Sequence, residues 1–121
     1  MRRPVASVAA ASLLAAVATG CGGHRTSSGT NDADMGKQLV TAFGCGGCHE
    51  IAGVARADGQ VGPSLHDLRQ RRVIAGSLPN TPENVARWID DPKAVDAETL
   101  MPDLGVTRTQ AQAIADFLYE H

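Results

Sequence analysis

The sequence predicts an all-α domain of three to five helices, and three observations carry that reading. Two stretches open on helix-start chemistry, Thr81-Pro82 and Thr107 with Gln110 three positions on. Behind each start, apolar residues recur at helical spacing. No stretch alternates apolar and polar residues long enough to make a convincing sheet.

In chain order, the first helix is capped by Asp32 or Asp34, runs through Leu39, Val40 and Phe43, and stops around Gly44. A short helical turn is weakly marked from Leu65 to Arg71. The middle helix starts at Thr81-Pro82, where proline's missing N–H costs nothing. It aligns Val85, Trp88 and Ile89 on one face and ends at Pro92. Thr107 and Gln110 form the capping box of the last helix, whose apolar face is Ala111, Ile114, Phe117 and Leu118.

The 121 residues give room for one domain, expected from Met35 to His121. Ahead of it, Met1-Arg2-Arg3 is a positive start and Val5 to Ala18 an uncharged apolar run too short to span a membrane comfortably. Ala18-Thr19-Gly20-Cys21 closes the run with small residues. This is similar to a bacterial lipoprotein signal, residues 1–20, with Cys21 as the lipidated first residue of the mature chain. Ala18 departs from that pattern, which usually has Leu there. The alternative is a plain secretory signal that leaves Cys21 a free thiol. Residues 21–34 then read as a Gly/Ser/Thr tether with a reach of roughly 20 Å.

Formal net charge is −2, and removing residues 1–20 takes Arg2 and Arg3 with them and leaves −4. A mildly acidic domain without a basic stripe excludes nucleic-acid binding from the expected roles. Aromatic residues make up only 3% of the chain, Phe43, Trp88, Phe117 and Tyr119. Since aromatics fill much of an ordinary core, a planar cofactor is a natural substitute.

Cys45-Gly46-Gly47-Cys48-His49 supplies the means to hold one. Each thiol can add across a haem vinyl group, and the next residue sets an imidazole nitrogen beneath the iron. The two glycines are expected to let the backbone turn tightly against the ring. Three other readings compete. A thioredoxin-like pair expects a βαβ neighbourhood, and these flanks read as helix and loop. A structural zinc site needs a fourth ligand, and His24, His66 and His121 stand in no paired spacing. A disulfide between Cys45 and Cys48 leaves His49 unexplained.

From Met35 to His121 the chain resembles a class I cytochrome c, and in particular the cytochrome c domain fused to subunit II of some haem–copper oxidases. The resemblance rests on Gly44 to His49, Gly62-Pro63-Ser64-Leu65, Leu78 to Ile89 and Leu100-Met101-Pro102. It implies one covalent haem c on Cys45 and Cys48, with His49 and Met101 as axial iron ligands. It also implies that the Pro63 carbonyl meets the His49 ring N–H and that Trp88 lies against the haem with its indole near a propionate. Gly36 is expected to let the first and last helices cross closely at Phe117. Arg71 and Arg72 are either propionate partners or a solvated basic turn, and His66 reads as a surface residue.

The function that follows is an electron carrier rather than an enzyme. The domain is expected to be monomeric, and the leader with Cys21 implies that it is exported and held by a lipid anchor to the cell membrane, facing the periplasm or the cell exterior. By the same resemblance, a terminal oxidase is the expected electron acceptor and a quinol-oxidising complex the donor. The alternatives are a haem sensor or small peroxidase with a displaceable Met101, and an assembly lipoprotein that binds no haem.

Overall fold

Local chemistry at helix starts sets most of the architecture. The computed structural model describes residues 28–121. The signal segment 1–20, Cys21 and tether residues 22–27, with His24, lie outside the described residues. The last helix, α4 (Arg108–Glu120), starts as its capping box requires: the Gln110 N–H donates to the Thr107 hydroxyl, and Gln110 Oε1 accepts from the Thr107 N–H at 2.9 Å. Its buried stripe is the expected Ala111, Ile114, Phe117 and Leu118, widened by Ala113 and Ala115. In α2 (Pro82–Asp90) the Thr81 side chain accepts from the Asn84 N–H at 3.2 Å, with Pro82 in the first turn.

The helix α1 (Ser28–Ala42) differs from expectation at its start. It runs back past Asp32 and Asp34, so neither caps it. Nothing between Ser28 and Asp34 is a proline, and once Gly36 to Phe43 is held by packing, extending the helix costs only propagation. Pro92 also does more than end α2. It opens a one-turn helix, α3 (Pro92–Val95), capped by Asp91, whose carboxylate accepts from the Ala94 N–H at 3.0 Å. The expected turn near Leu65 to Arg71 is a 3₁₀ turn at Leu68–Gln70.

One element was not anticipated, a two-stranded antiparallel hairpin of β1 (Val73–Ile74) and β2 (Leu78–Pro79), with Ile74 opposite Leu78. At only two residues per strand, it leaves no alternating pattern to read. The Ser77 N–H donates to the Ile74 carbonyl across Ala75 and Gly76, which both have positive φ, 47° and 75°. Both central residues thus take the left-handed sense of a type I′ turn. The architecture remains helical.

The core lies where α1 and α2 pack on α4. Gly36 faces α4, and a Cβ there would overlap the Ala113 carbonyl and stand 2.5 Å from Phe117 Cβ. Only a residue without a side chain permits that approach. Val40, one turn on, is buried beside it among Ile114, Phe117 and Leu118. Among the described residues, no helix is long and apolar enough to cross a membrane.

Candidate cofactor-binding site

The chain leaves α1 through Gly44, whose φ of 71° redirects it into a 3₁₀ turn at Cys45–Gly47. The loop that follows folds back as a frame for this turn. The Gly59 N–H donates to the Gly46 carbonyl at 3.0 Å, the Gly62 N–H to Cys48 at 2.8 Å and the Leu65 N–H to Glu50 at 2.8 Å. Cys45 and Cys48 are both half-buried and form no disulfide with each other.

The two glycines between the cysteines have different jobs. A Cβ on Gly46 would lie 2.7 Å from the Cα and Cβ of Ala57, so Gly46 allows the frame to close on the turn. At Gly47 a Cβ would meet nothing within 4 Å.

His49 is fixed on two sides. Its Nδ1 lies 2.7 Å from the Pro63 carbonyl oxygen, fourteen residues away. A carbonyl only accepts, so Nδ1 carries the proton and a neutral ring keeps its Nε2 lone pair. The adjacent residue, Gly62, is pressed against the ring: a Cβ would overlap Cε1 and lie 2.7 Å from Nδ1 and 2.9 Å from Nε2. The Gly62-Pro63 pair thus sets both tautomer and ring plane.

Across from this wall, the segment after α3 returns over the fold as a strap. The Met101 N–H donates to Thr99 Oγ1 at 3.1 Å, and the Thr99 N–H to the Asp96 carbonyl at 3.2 Å. Between wall and strap is a cavity of about 510 Å³, within the range that holds a sizeable organic ligand. Cys45, Cys48, His49, Pro63, Trp88 and Met101 all line it. Six positions spread along half of the chain thus meet at one cavity.

The rest of the lining is mostly aliphatic, from Val61, Leu68, Ile74, Val85 and Val106 among others. These wall residues carry no chemical signature in the sequence, and Val85 stood out there only as part of the apolar face of its helix. Arg71 also lines the cavity, half-buried, and its guanidinium donates to the Ser64 carbonyl, whereas Arg72 is exposed. His66 is exposed and stands 3.7 Å from a Glu50 carboxylate oxygen, off the cavity wall. His121 stacks on Phe117 with ring centroids 4.5 Å apart.

Another unanticipated device is the Asn80 side chain. Its amide donates to the Leu68 carbonyl at 2.6 Å and to Arg71 at 2.9 Å, and its oxygen accepts from the Tyr119 hydroxyl at 2.5 Å. It ties the Arg71 segment to the end of α4, and burial raises the Tyr119 hydroxyl pKa there. Among the described residues, no three His, Cys, Asp or Glu side chains converge as a metal cage would require.

An apolar cavity with two thiols on its edge, an imidazole nitrogen and a thioether fits an iron porphyrin. The Cytochrome c family model matches residues 33–121, nearly the whole described domain. The chain belongs to the cytochrome c family. It is a class I c-type cytochrome, an all-α fold carrying covalently attached haem c, and its chemistry is electron transfer. It is also 37% identical over 70 residues to cytochrome c oxidase subunit 2 of Alkalihalophilus pseudofirmus. That match covers 58% of this chain but 20% of the relative, so the cytochrome spans about a fifth of that subunit's length. No solved structure matches the cytochrome significantly.

Proposed function

We propose that this cytochrome is a membrane-tethered carrier of single electrons in a respiratory chain, delivering them to a terminal oxidase. The single observation behind the site assignment is the meeting of Cys45, Cys48, His49 and Met101 on one cavity. Haem c bound there supplies a reversible one-electron iron couple. Cys45 and Cys48 would hold it through thioethers, and His49 and Met101 would ligate its iron. Pro63 accepts the Nδ1 proton of His49, which orients the ring and raises the basicity of Nε2. Held by both residues, the iron would offer no place for a substrate to bind, and histidine–methionine ligation would favour a high potential.

The remaining residues tune and shield. Aliphatic walls keep water out, which disfavours additional charge in the cavity. Trp88 lies on the wall, where its indole N–H is suited to a haem propionate, and Arg71 places a cation there. Likeness to an oxidase subunit supports an oxidase as acceptor and a location on the outer side of a cell membrane. A quinol-oxidising complex is the corresponding donor. Cys21, at the end of the apolar leader, carries the lipid anchor, because a diacylated cysteine binds membranes stably where one chain is marginal. Cys21→Ser should release the protein from the membrane fraction with its haem spectrum intact, and a wild-type protein without acyl groups by mass spectrometry would refute the anchor.

The site assignment is tested by denaturation. Haem should stay with the unfolded wild-type chain through acid–acetone extraction, and Cys45→Ala with Cys48→Ala should free it. Haem that extracts from wild type would overturn the assignment.

A further inference from the structure

A chain of polar groups runs behind the cavity wall, apart from the residues assigned to the iron. Neither Asn80 nor Tyr119 lines the cavity, yet Leu68 and Arg71, which Asn80 holds, both do. Asn80 takes three carbonyls of that one segment. Its backbone N–H donates to Arg72 at 3.1 Å, and its side-chain amide donates to Leu68 at 2.6 Å and to Arg71 at 2.9 Å. Carbonyls only accept, so the amide must turn its NH2 toward them, which leaves its oxygen on the other side. The Tyr119 hydroxyl donates to that oxygen at 2.5 Å. It thereby fixes the sense of the amide, because a reversed amide would set oxygen against two carbonyls.

The chain continues beyond the segment. The Arg71 guanidinium donates to the Ser64 carbonyl. Ser64 follows Pro63, whose carbonyl faces His49 Nδ1 at 2.7 Å. Pro63 has no N–H of its own, so its neighbours must position that carbonyl. The Gly62 N–H is tied to Cys48 and the Leu65 N–H to Glu50, both at 2.8 Å. Two such ties leave the carbonyls between them free to swing about the line that joins them. Arg71 supplies the third.

Given the haem site assigned above, on which this rests, we propose that Tyr119 and Asn80 are positioning residues for His49. They act through Arg71 and the Ser64 carbonyl to keep the Pro63 carbonyl on Nδ1. A firmly held Nδ1–H makes Nε2 a stronger donor, and a stronger donor to iron favours the oxidised state. The end of α4 thus helps to set the reduction potential from outside the cavity.

The test uses the haem-loaded full-length protein, reduced and therefore diamagnetic. Exchange of the His49 ring Nδ1–H with D2O is followed by proton NMR, and the reduction potential is measured alongside. Tyr119→Phe deletes one hydroxyl and keeps the ring; it should speed exchange at least about threefold and raise the potential. Asn80→Asp keeps the shape without N–H donors and should exceed that effect; where Asn80→Asp does not fold, Tyr119→Phe carries the test. Arg71→Lys keeps the charge but loses the planar fork, and it too should speed exchange. Adding Tyr119→Phe to Arg71→Lys should change exchange by less than about 1.5-fold, because both cut one path. Thr107→Ala is the stability control, since it removes the cap at the other end of α4. Its exchange should stay within about 1.5-fold of wild type, with the potential unchanged.

Exchange as fast in Thr107→Ala as in Tyr119→Phe would reduce Tyr119 to a general stabiliser and overturn the proposal. So would effects of Tyr119→Phe and Arg71→Lys that multiply in the double variant, or an unchanged potential in Tyr119→Phe. In each of these outcomes haem stays on the chain and the carrier reading stands. A wild-type protein without haem would overturn both readings together.

Discussion

Replacing Gly62 by alanine tests the site at its tightest point. Carbon atoms settle at about 3.5–4.0 Å from their neighbours, yet the new Cβ would lie 2.7 Å from His49 Nδ1 and 2.9 Å from Nε2. The ring therefore has to retreat by roughly 1 Å. That stretches its 2.7 Å hydrogen bond to the Pro63 carbonyl past useful length. Overpacking costs about 1–3 kcal/mol and the lost bond about 0.5–1.5 kcal/mol. Together, Gly62→Ala should destabilise the fold by about 1.5–4.5 kcal/mol, or at least about 6 °C in Tm for a domain of this size.

The assay is urea unfolding followed by far-ultraviolet circular dichroism, with the oxidised absorption spectrum as a second readout of axial ligation. Gly47→Ala is the internal comparison, since its Cβ would meet nothing within 4 Å. It should be neutral or stabilise by up to about 1 kcal/mol through the unfolded state. A Gly62→Ala protein within about 1 kcal/mol of wild type and with an unchanged spectrum would refute the reasoning. So would a Gly47→Ala protein as unstable as Gly62→Ala.

Two further outcomes follow from strap and hairpin. Met101→Ala should abolish the weak sulfur-to-iron charge-transfer band, lower the reduction potential and let the ferrous protein bind carbon monoxide; rapid carbon monoxide uptake by wild type would instead favour the sensor or peroxidase reading. Ala75→Gly should stabilise by roughly 0.5–1 kcal/mol, because Ala75 sits at a φ of 47° that costs a side-chain-bearing residue more than glycine's added unfolded-state freedom returns. A loss of stability in thermal unfolding of Ala75→Gly would contradict that balance.

Where the sequence was informative about fold, the deciding interactions were local. Thr81 and Thr107 satisfy N–H groups three residues ahead, so their helix starts could be read from adjacent letters. The same logic was available at Asp91-Pro92, which repeats the cap-then-proline order of Thr81-Pro82. Pro92 was taken only as a stop, although it is both the stop of α2 and the first residue of α3. The hairpin left a fainter trace. Its turn places alanine, rather than the usual asparagine or aspartate, before Gly76. The backward extension of α1 had no signal, since Ser28 to Asp34 has the composition of a tether.

The site divides along the same line. Cys45, Cys48 and His49 are neighbours in sequence, and their spacing alone announced haem chemistry. Pro63 and Met101 are a proline and a methionine like any others until the fold brings them to the cavity, and only likeness to a family pointed to them. Asn80 shows why the remainder was hidden: its partners Arg71, Leu68 and Tyr119 lie nine, twelve and thirty-nine residues away. An asparagine between a strand and a helix reads as turn chemistry, and here it joins three segments around the cavity. The cavity itself is a property of packing, since its aliphatic wall is drawn from α2, α4, the hairpin and both loops. Composition hinted at it once, through the scarcity of aromatic residues in a chain that must still fill a core. With the aromatics limited to four positions, and with Val40, Ile114 and Leu118 of the α1–α4 core themselves lining the cavity, the core is left to be completed by the cofactor the family carries.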